Sequence, residues 1–151
     1  MSLEKDINQP KFRNEQQKGL LNILYTYSWV AERIKLMLDK EGITPQQFNI
    51  LRILRGSHPE PLSTLQIRER MLDKMSDTSR IVDRLILKNL VSKKICANDK
   101  RLVDVNITEK GRKLLDKLDK RNVEMDSIIK ELSISEIRTL NKLLDKIRKS
   151  N

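Results

Sequence analysis

The sequence predicts a mainly α-helical protein with a small β-wing: a winged helix-turn-helix core flanked by N- and C-terminal dimerisation helices. Three observations predict this. Apolar residues recur at helical spacing along most of the chain, and capping boxes mark several helix starts. Between Val91 and Thr108 the period changes to strand-like alternation. Only four Gly and four Pro occur in 151 residues, too few turn-formers for an all-β fold.

The elements follow in order. Residues 1 to about 13 are polar and read as an arm, and Met1-Ser2-Leu3 is assigned no role. From about Glu15 to Lys40 there is no Pro, and Leu20, Leu21, Leu24, Tyr27, Ala31, Ile34 and Leu38 keep a helical spacing. Ile23, Val30 and Met37 form a second apolar face, so this helix must bury more than one side. Thr44-Pro45-Gln46-Gln47 is a capping box with Pro at the first helical position, and Phe48, Leu51 and Leu54 continue as a core stripe. Two prolines in Ser57-His58-Pro59-Glu60-Pro61 end that helix. Ser63-Thr64-Leu65-Gln66 opens a short helix to about Met71. Ser76-Asp77-Thr78-Ser79 opens the next, whose stripe is Val82, Leu85, Ile86 and Leu90. Asn89, near its end, suits a left-handed C-terminal cap.

Val91 and Ile95, then Val103, Val105 and Ile107, predict two strands with Asn98-Asp99-Lys100-Arg101 at the tip. Thr108 caps a long helix carrying Leu114, Leu115, Leu118, Met125, Ile128, Ile129 and Leu132. Ser133-Ile134-Ser135-Glu136 opens the last helix, with Ile137, Leu140, Leu144 and Ile147. Residues 44–108 thus form the winged-helix domain, and 1–43 and 109–151 supply dimerisation helices. Their apolar area exceeds what one small tri-helical core can cover.

Composition narrows the function. Lys and Arg number 31 against 21 Asp and Glu, a net charge of +10 that asks for an anionic partner, nucleic acid first and a membrane surface second. A single Cys excludes an intrachain disulfide and a Cys-based zinc site. A single His removes most His-dependent catalysis, and no glycine-rich phosphate loop, metal cluster or nucleophile–base pair is present. No enzyme, catalytic residue, metal or cofactor is therefore expected. The N-terminus has no signal-peptide pattern, and the longest uncharged stretch, Gly19 to Ala31, is shorter than a membrane span of about 20 residues. A cytoplasmic location without membrane contact is the expectation.

The charge is unevenly placed. Residues 44–108 carry 12 basic and 7 acidic side chains, and residues 74–101 alone carry 8 basic and 3 acidic. The excess falls on the fourth predicted helix and the wing, the elements that a winged helix presents to DNA. The alternative is a basic helical interaction protein that binds acidic partners, or DNA without sequence preference.

The run Thr78-Ser79-Arg80-Ile81-Val82-Asp83-Arg84-Leu85, then Asn89-Leu90-Val91, Asp99-Lys100-Arg101 and Val105-Asn106-Ile107-Thr108-Glu109-Lys110-Gly111, resembles the MarR family of bacterial transcriptional regulators. Thr44 through Leu54 resembles the family's second helix, and the likeness spans roughly residues 20 to 148. It implies a homodimer of interlocked terminal helices, recognition helices in successive major grooves, and wing tips in the flanking minor grooves. It also implies binding of a pseudopalindromic site, repression as the usual output, and release by a small aromatic or lipophilic effector. Asn89 stands where the family commonly has Gly, and tolerates the same left-handed backbone. No Cys lies near the first helix, unlike the family's peroxide-sensing branch.

The DNA-binding candidates are Thr64, Ser76, Asp77, Thr78, Ser79, Arg80, Arg84, Lys93, Asp99, Lys100 and Arg101. Hydroxyls serve bases or phosphates, and Arg reads guanine bidentately. Ser76 is either a helix cap, a DNA contact, or both. Asp77 suits a helix N-terminus or accepts from a cytosine amine, yet repels phosphate. Arg84 either supports the wing and backbone contacts or pairs with Asp83 or a wing carboxylate. Arg101 is the leading candidate, entering a narrow minor groove with Asp99 aiming its guanidinium; the alternative is an exposed ion pair. Ser63 and Thr64 either cap their helix or contact phosphate. Cys96 is either an inert wing residue or a sensor thiol near Lys94. Tyr25, Trp29 and Phe48 are candidates to line an effector pocket, with core or dimer packing as the alternative.

Overall fold

The computed structural model describes residues 2–95, 97–99 and 103–149. The chain divides into two compact units, residues 1–117 and 118–151.

The first unit begins with a short helix, α1 (Leu3–Asp6), where the sequence predicted only a polar arm. Leu3 is buried, and Glu4 pairs with Lys18 at 2.6 Å. The Lys18 ammonium, hydrogen-bonded to Glu4, holds that carboxyl down at about 2. The arm is therefore folded back, and Leu3 has a packing role. The long helix α2 (Glu15–Asp39) follows, capped by Asn14, whose side chain accepts from the Gln17 N–H. Its end is anchored by buried Met37 and Leu38, while Leu20, Leu24 and Tyr27 stay exposed.

Helices α3 (Pro45–Ser57) and α4 (Thr64–Arg70) both start with complete capping boxes, Thr44 with Gln47 and Ser63 with Gln66. Between them β1 (Leu62–Ser63) adds a strand of two residues. Helix α5 (Thr78–Leu87) then leads into β2 (Val91–Ile95) and β3 (Val103–Ile107). The sheet is antiparallel with order β1-β3-β2, and Val91 faces Ile107 while Lys93 faces Val105. The predicted hairpin is present. The third strand was missed because two residues cannot display an alternation. The core closes on Leu38, Ile50, Leu51, Leu54, Ile67, Val82, Leu85, Val105 and Leu115, all essentially without solvent contact.

The turn after α5 is a complete Schellman motif. Asn89 takes φ 58°, as the sequence suggested. Its N–H donates to the Ile86 carbonyl at 2.8 Å, and the Leu90 N–H donates to the Leu85 carbonyl at 3.1 Å. Helix α6 (Glu109–Asp119) starts on Thr108, whose hydroxyl accepts from the Gly111 N–H at 3.1 Å and donates to the Asn89 carbonyl at 2.8 Å. Gly111 packs so closely that a Cβ there would strike the Leu90 carbonyl oxygen and come within 2.8 Å of Ile107 Cγ1.

In the second unit the predicted long helix is interrupted. After α6, α7 (Asn122–Asp126) and a 3-10 turn (Ser127–Ile129) lead to α8 (Ile134–Arg148). Between Leu118 and Met125 the only apolar side chain is Val123, which is exposed, so that turn has no buried anchor. Ser133 and Glu136 form the expected capping box, and the Ser133 hydroxyl and N–H lower the Glu136 carboxyl below its usual range. None of the residues of α8 is buried, and Ile134, Leu143 and Ile147 are mostly exposed. No described helix is long and apolar enough to cross a membrane.

Gly111→Ala is expected to destabilise the protein by about 1–3 kcal/mol through overpacking. Asn89→Ala should cost about 1–2 kcal/mol from the left-handed backbone, and Asn89→Gly should not. Urea unfolding with an unchanged denaturant slope checks all three.

Candidate nucleic-acid interface

The first turn of α5 is positioned by two aspartates. The Asp73 carboxylate accepts from the Met75 N–H at 3.0 Å, and its carbonyl accepts from the Ser76 N–H at 3.3 Å. Asp77 is the helix cap, its Oδ1 accepting from the Arg80 N–H at 3.1 Å. The cap is thus Asp77 and not Ser76. An ionised carboxylate at a helix N-terminus is favourable on electrostatic grounds as well.

This register sorts the candidates. Ser79 and Arg80 are exposed on the outer side of α5. Thr78 is turned inward, 4% exposed, and its Oγ1 is buried without a hydrogen-bond partner. It packs, and is withdrawn from a DNA-facing role. The Ser76 Oγ is likewise buried and unpartnered. Thr64 opens α4 beside the Ser63 cap, whose hydroxyl accepts from the Gln66 N–H at 3.2 Å. Capping therefore falls to Ser63.

The cations divide in the same way. Lys93, on β2, reaches Asp83 of α5 at 3.3 Å, so helix and wing are tied by this pair. Asp83 was considered as a partner for Arg84, but Lys93 takes it. Arg84 is exposed, has no carboxylate partner among the described residues, and borders a cleft of about 300 Å³ with Ser76, Asp73 and Gln47. Lys88 is spent on the fold: its Nζ donates to Gln47 Oε1 at 2.9 Å and to the Gly42 carbonyl. Sequence reasoning counted it with the DNA-facing charge, and nothing in its spacing marked it as structural. Lys94 is exposed on β2. Asp99 belongs to the described residues, whereas Cys96, Lys100 and Arg101 lie outside them. The proposed Asp99–Arg101 pair and the alternatives for Cys96 therefore stand on the sequence.

Two clefts lie along α2 and α3. Tyr25 and Trp29 line one of about 650 Å³ with Glu32, Lys35, Thr44 and Pro45. The Arg33 guanidinium stacks 3.3 Å over the Trp29 ring. Tyr27, Val30, Ile34, Pro45, Met71 and Leu72 line a second, of about 500 Å³. Phe48 lines neither and sits under the Arg52 guanidinium at 5.7 Å. Leu72 was missed because it falls between helices, outside any apolar period. Among the described residues no group of His, Cys, Asp and Glu is arranged to hold a metal.

A winged helix with a polar, cationic α5 is the geometry on which the comparisons bear. Residues 43–103 match the sequence model of the MarR family. Over 122 residues the chain is 29% identical to the HTH-type transcriptional regulator MhqR of Bacillus subtilis, covering 80% of this chain and 83% of that protein. The solved MarR transcription factor from Planctomyces limnophilus is 29% identical with a TM-score of 0.68, over 89% of this chain and 98% of that one. Over its central part the chain is similar to the MarR family, and over most of its length to individual MarR-type transcription regulators.

Further similar proteins extend the likeness. The HTH-type transcriptional repressor MdtR of B. subtilis is 36% identical over 76 residues, 49% of this chain and 46% of that protein. A mutant of Escherichia coli MarR complexed with operator DNA is 23% identical and shares the fold with a TM-score of 0.77, over 97% of this chain and 99% of that one. The family's members are transcription regulators, and the expectation of a non-enzyme agrees with that.

Thr78→Val is expected to raise stability by about 1 kcal/mol, since it removes a buried hydroxyl without a partner and keeps the shape. Thermal melts of the two proteins check it.

Proposed function

We propose that this protein is a MarR-family repressor that binds a pseudopalindromic double-stranded DNA site as a homodimer in the cytoplasm and is released by a small aromatic or lipophilic effector. One observation carries the reading: the outward side of the first turn of α5 holds Ser79 and Arg80, and the adjoining strand holds exposed Lys94. A hydroxyl and a guanidinium at the start of a recognition helix match what base edges and phosphates accept. Similarity to a protein solved with operator DNA supports it.

The dimer reading draws on uncovered apolar side chains. Leu20, Leu24 and Tyr27 on α2, and Ile134, Leu143 and Ile147 on α8, are each more than half exposed. A chain this charged does not leave both faces in water without cost. A second copy covers identical faces by two-fold symmetry, which would also match a pseudopalindrome. The effector reading draws on the two clefts beside α2, where Tyr25, Tyr27 and Trp29 supply apolar walls. A solved neighbour, 20% identical, is Bordetella bronchiseptica BpsR, whose DNA binding is regulated by 6-hydroxynicotinic acid.

Arg80, Ser79 and Arg84 are assigned to DNA, with Ser76, Asp77 and Thr64 at its margin. Lys93 is assigned to the α5–wing tie, and Asp99, Lys100 and Arg101 to the wing tip on sequence grounds. Binding to DNA upstream of the protein's own gene, at two salt concentrations and beside a scrambled duplex, tests the reading. The expected result is a preference of ~10³-fold or more with steep salt dependence. Equal binding to both duplexes would favour the non-specific alternative. Arg80→Ala should weaken specific binding by about 1–3 kcal/mol. Sedimentation at micromolar concentration should show a dimer, and a monomer would remove the symmetry argument.

A further inference from the structure

We propose that Met75 reads thymine in the operator by packing against its C5-methyl group in the major groove. This rests on the DNA-binding reading above and adds to it a residue that selects sequence.

Met75 is 93% exposed, the most exposed large apolar side chain among the described residues. It is no loose tail. Its N–H is held by the Asp73 carboxylate at 3.0 Å, the next N–H, of Ser76, by the Asp73 carbonyl, and Asp77 two residues on is the cap of α5. On the other side, the Lys74 ammonium donates to the Glu69 carbonyl. A backbone fixed on both flanks thus holds an apolar chain out in water. Leu72, nearly as exposed, borders the cleft beside α2, whereas Met75 borders none of the clefts described above. Met75 stands instead two residues before the cap of α5, in a segment where Ser79 and Arg80 are exposed as well.

The chemistry of that position limits the partner. A thioether has no donor for a phosphate, and base edges in the major groove are polar except for the thymine methyl. An unbranched side chain with three rotatable bonds and a polarisable sulfur adapts to a small apolar knob. Exposed Lys74 and Arg80 of the same segment bring the duplex close, and Met75 contributes selectivity once it is there.

The test uses the full-length protein and a duplex it selects from a random pool. Each thymine is replaced by deoxyuridine, which removes only the methyl group. At one position per half-site, the replacement is expected to weaken wild-type binding about four-fold, the equivalent of one buried methylene. Met75→Ala should bind the thymine and uracil duplexes alike, and Met75→Leu should retain most of the discrimination. Its melting temperature and sedimentation should match the wild type, because the side chain touches so little of the protein. The proposal is overturned if no uracil substitution affects the wild type, if Met75→Ala keeps full discrimination, or if that variant loses its subunit association. Selection of no duplex at all would instead defeat the DNA-binding reading, and this inference with it.

Discussion

The fold of the first unit depends on one crossing, where the Asn89–Leu90 turn meets the Thr108–Gly111 turn. The Leu90 carbonyl accepts from the Thr108 N–H at 3.0 Å, and the Thr108 hydroxyl donates to the Asn89 carbonyl at 2.8 Å. The Lys110 ammonium donates to the Lys88 carbonyl at 3.1 Å. Three elements end or begin here: α5, the β2–β3 ladder and α6. The orphan carbonyls at the end of a helix must find donors. Here those donors come from the segment that starts the next helix. The direction of α5, the pitch of the wing and the start of α6 are therefore set by the same hydrogen bonds. Gly111 is the residue that lets the chains come that close.

Much of this was legible in the sequence. Capping boxes and prolines leave short, local signals, and the starts of α3, α4 and α8 fell where those signals stood. Asn89 was legible because few residues other than Gly and Asn adopt its backbone readily. Illegible features had no local signal. Strand β1 exists because β3 has an edge for it, through Leu62 opposite Val105. The break after α6 has neither Gly nor Pro to announce it. The packing of Leu3 follows from where α1 folds, which its polar neighbours concealed.

The candidate site was legible in position but not in orientation. Composition and topology put the candidate DNA-contacting residues near the start of α5. Yet Ser76 and Asp77 were both credible caps, and moving a cap by one residue turns every later side chain by about 100° around the helix. With Asp77 as the cap, Thr78 points inward and Ser79 and Arg80 outward. Formal charge does not show which cations also serve the fold. Lys88 and Lys93 belong to the basic segment by sequence, but one holds Gln47 and the Gly42 carbonyl and the other holds Asp83. Both ammonium groups thus make contacts within the protein as well as facing solvent.

The sorting of side chains along the first turn of α5 divides its positions by how tightly folding constrains them. Asp77 and Thr78 serve the helix and the core, while Met75, Ser79 and Arg80 project their side chains into solvent. Residues of the first kind are constrained by folding, and those of the second kind are almost exempt from it. Substitution at 75, 79 and 80 therefore changes the exposed surface of this turn while stability stays nearly constant.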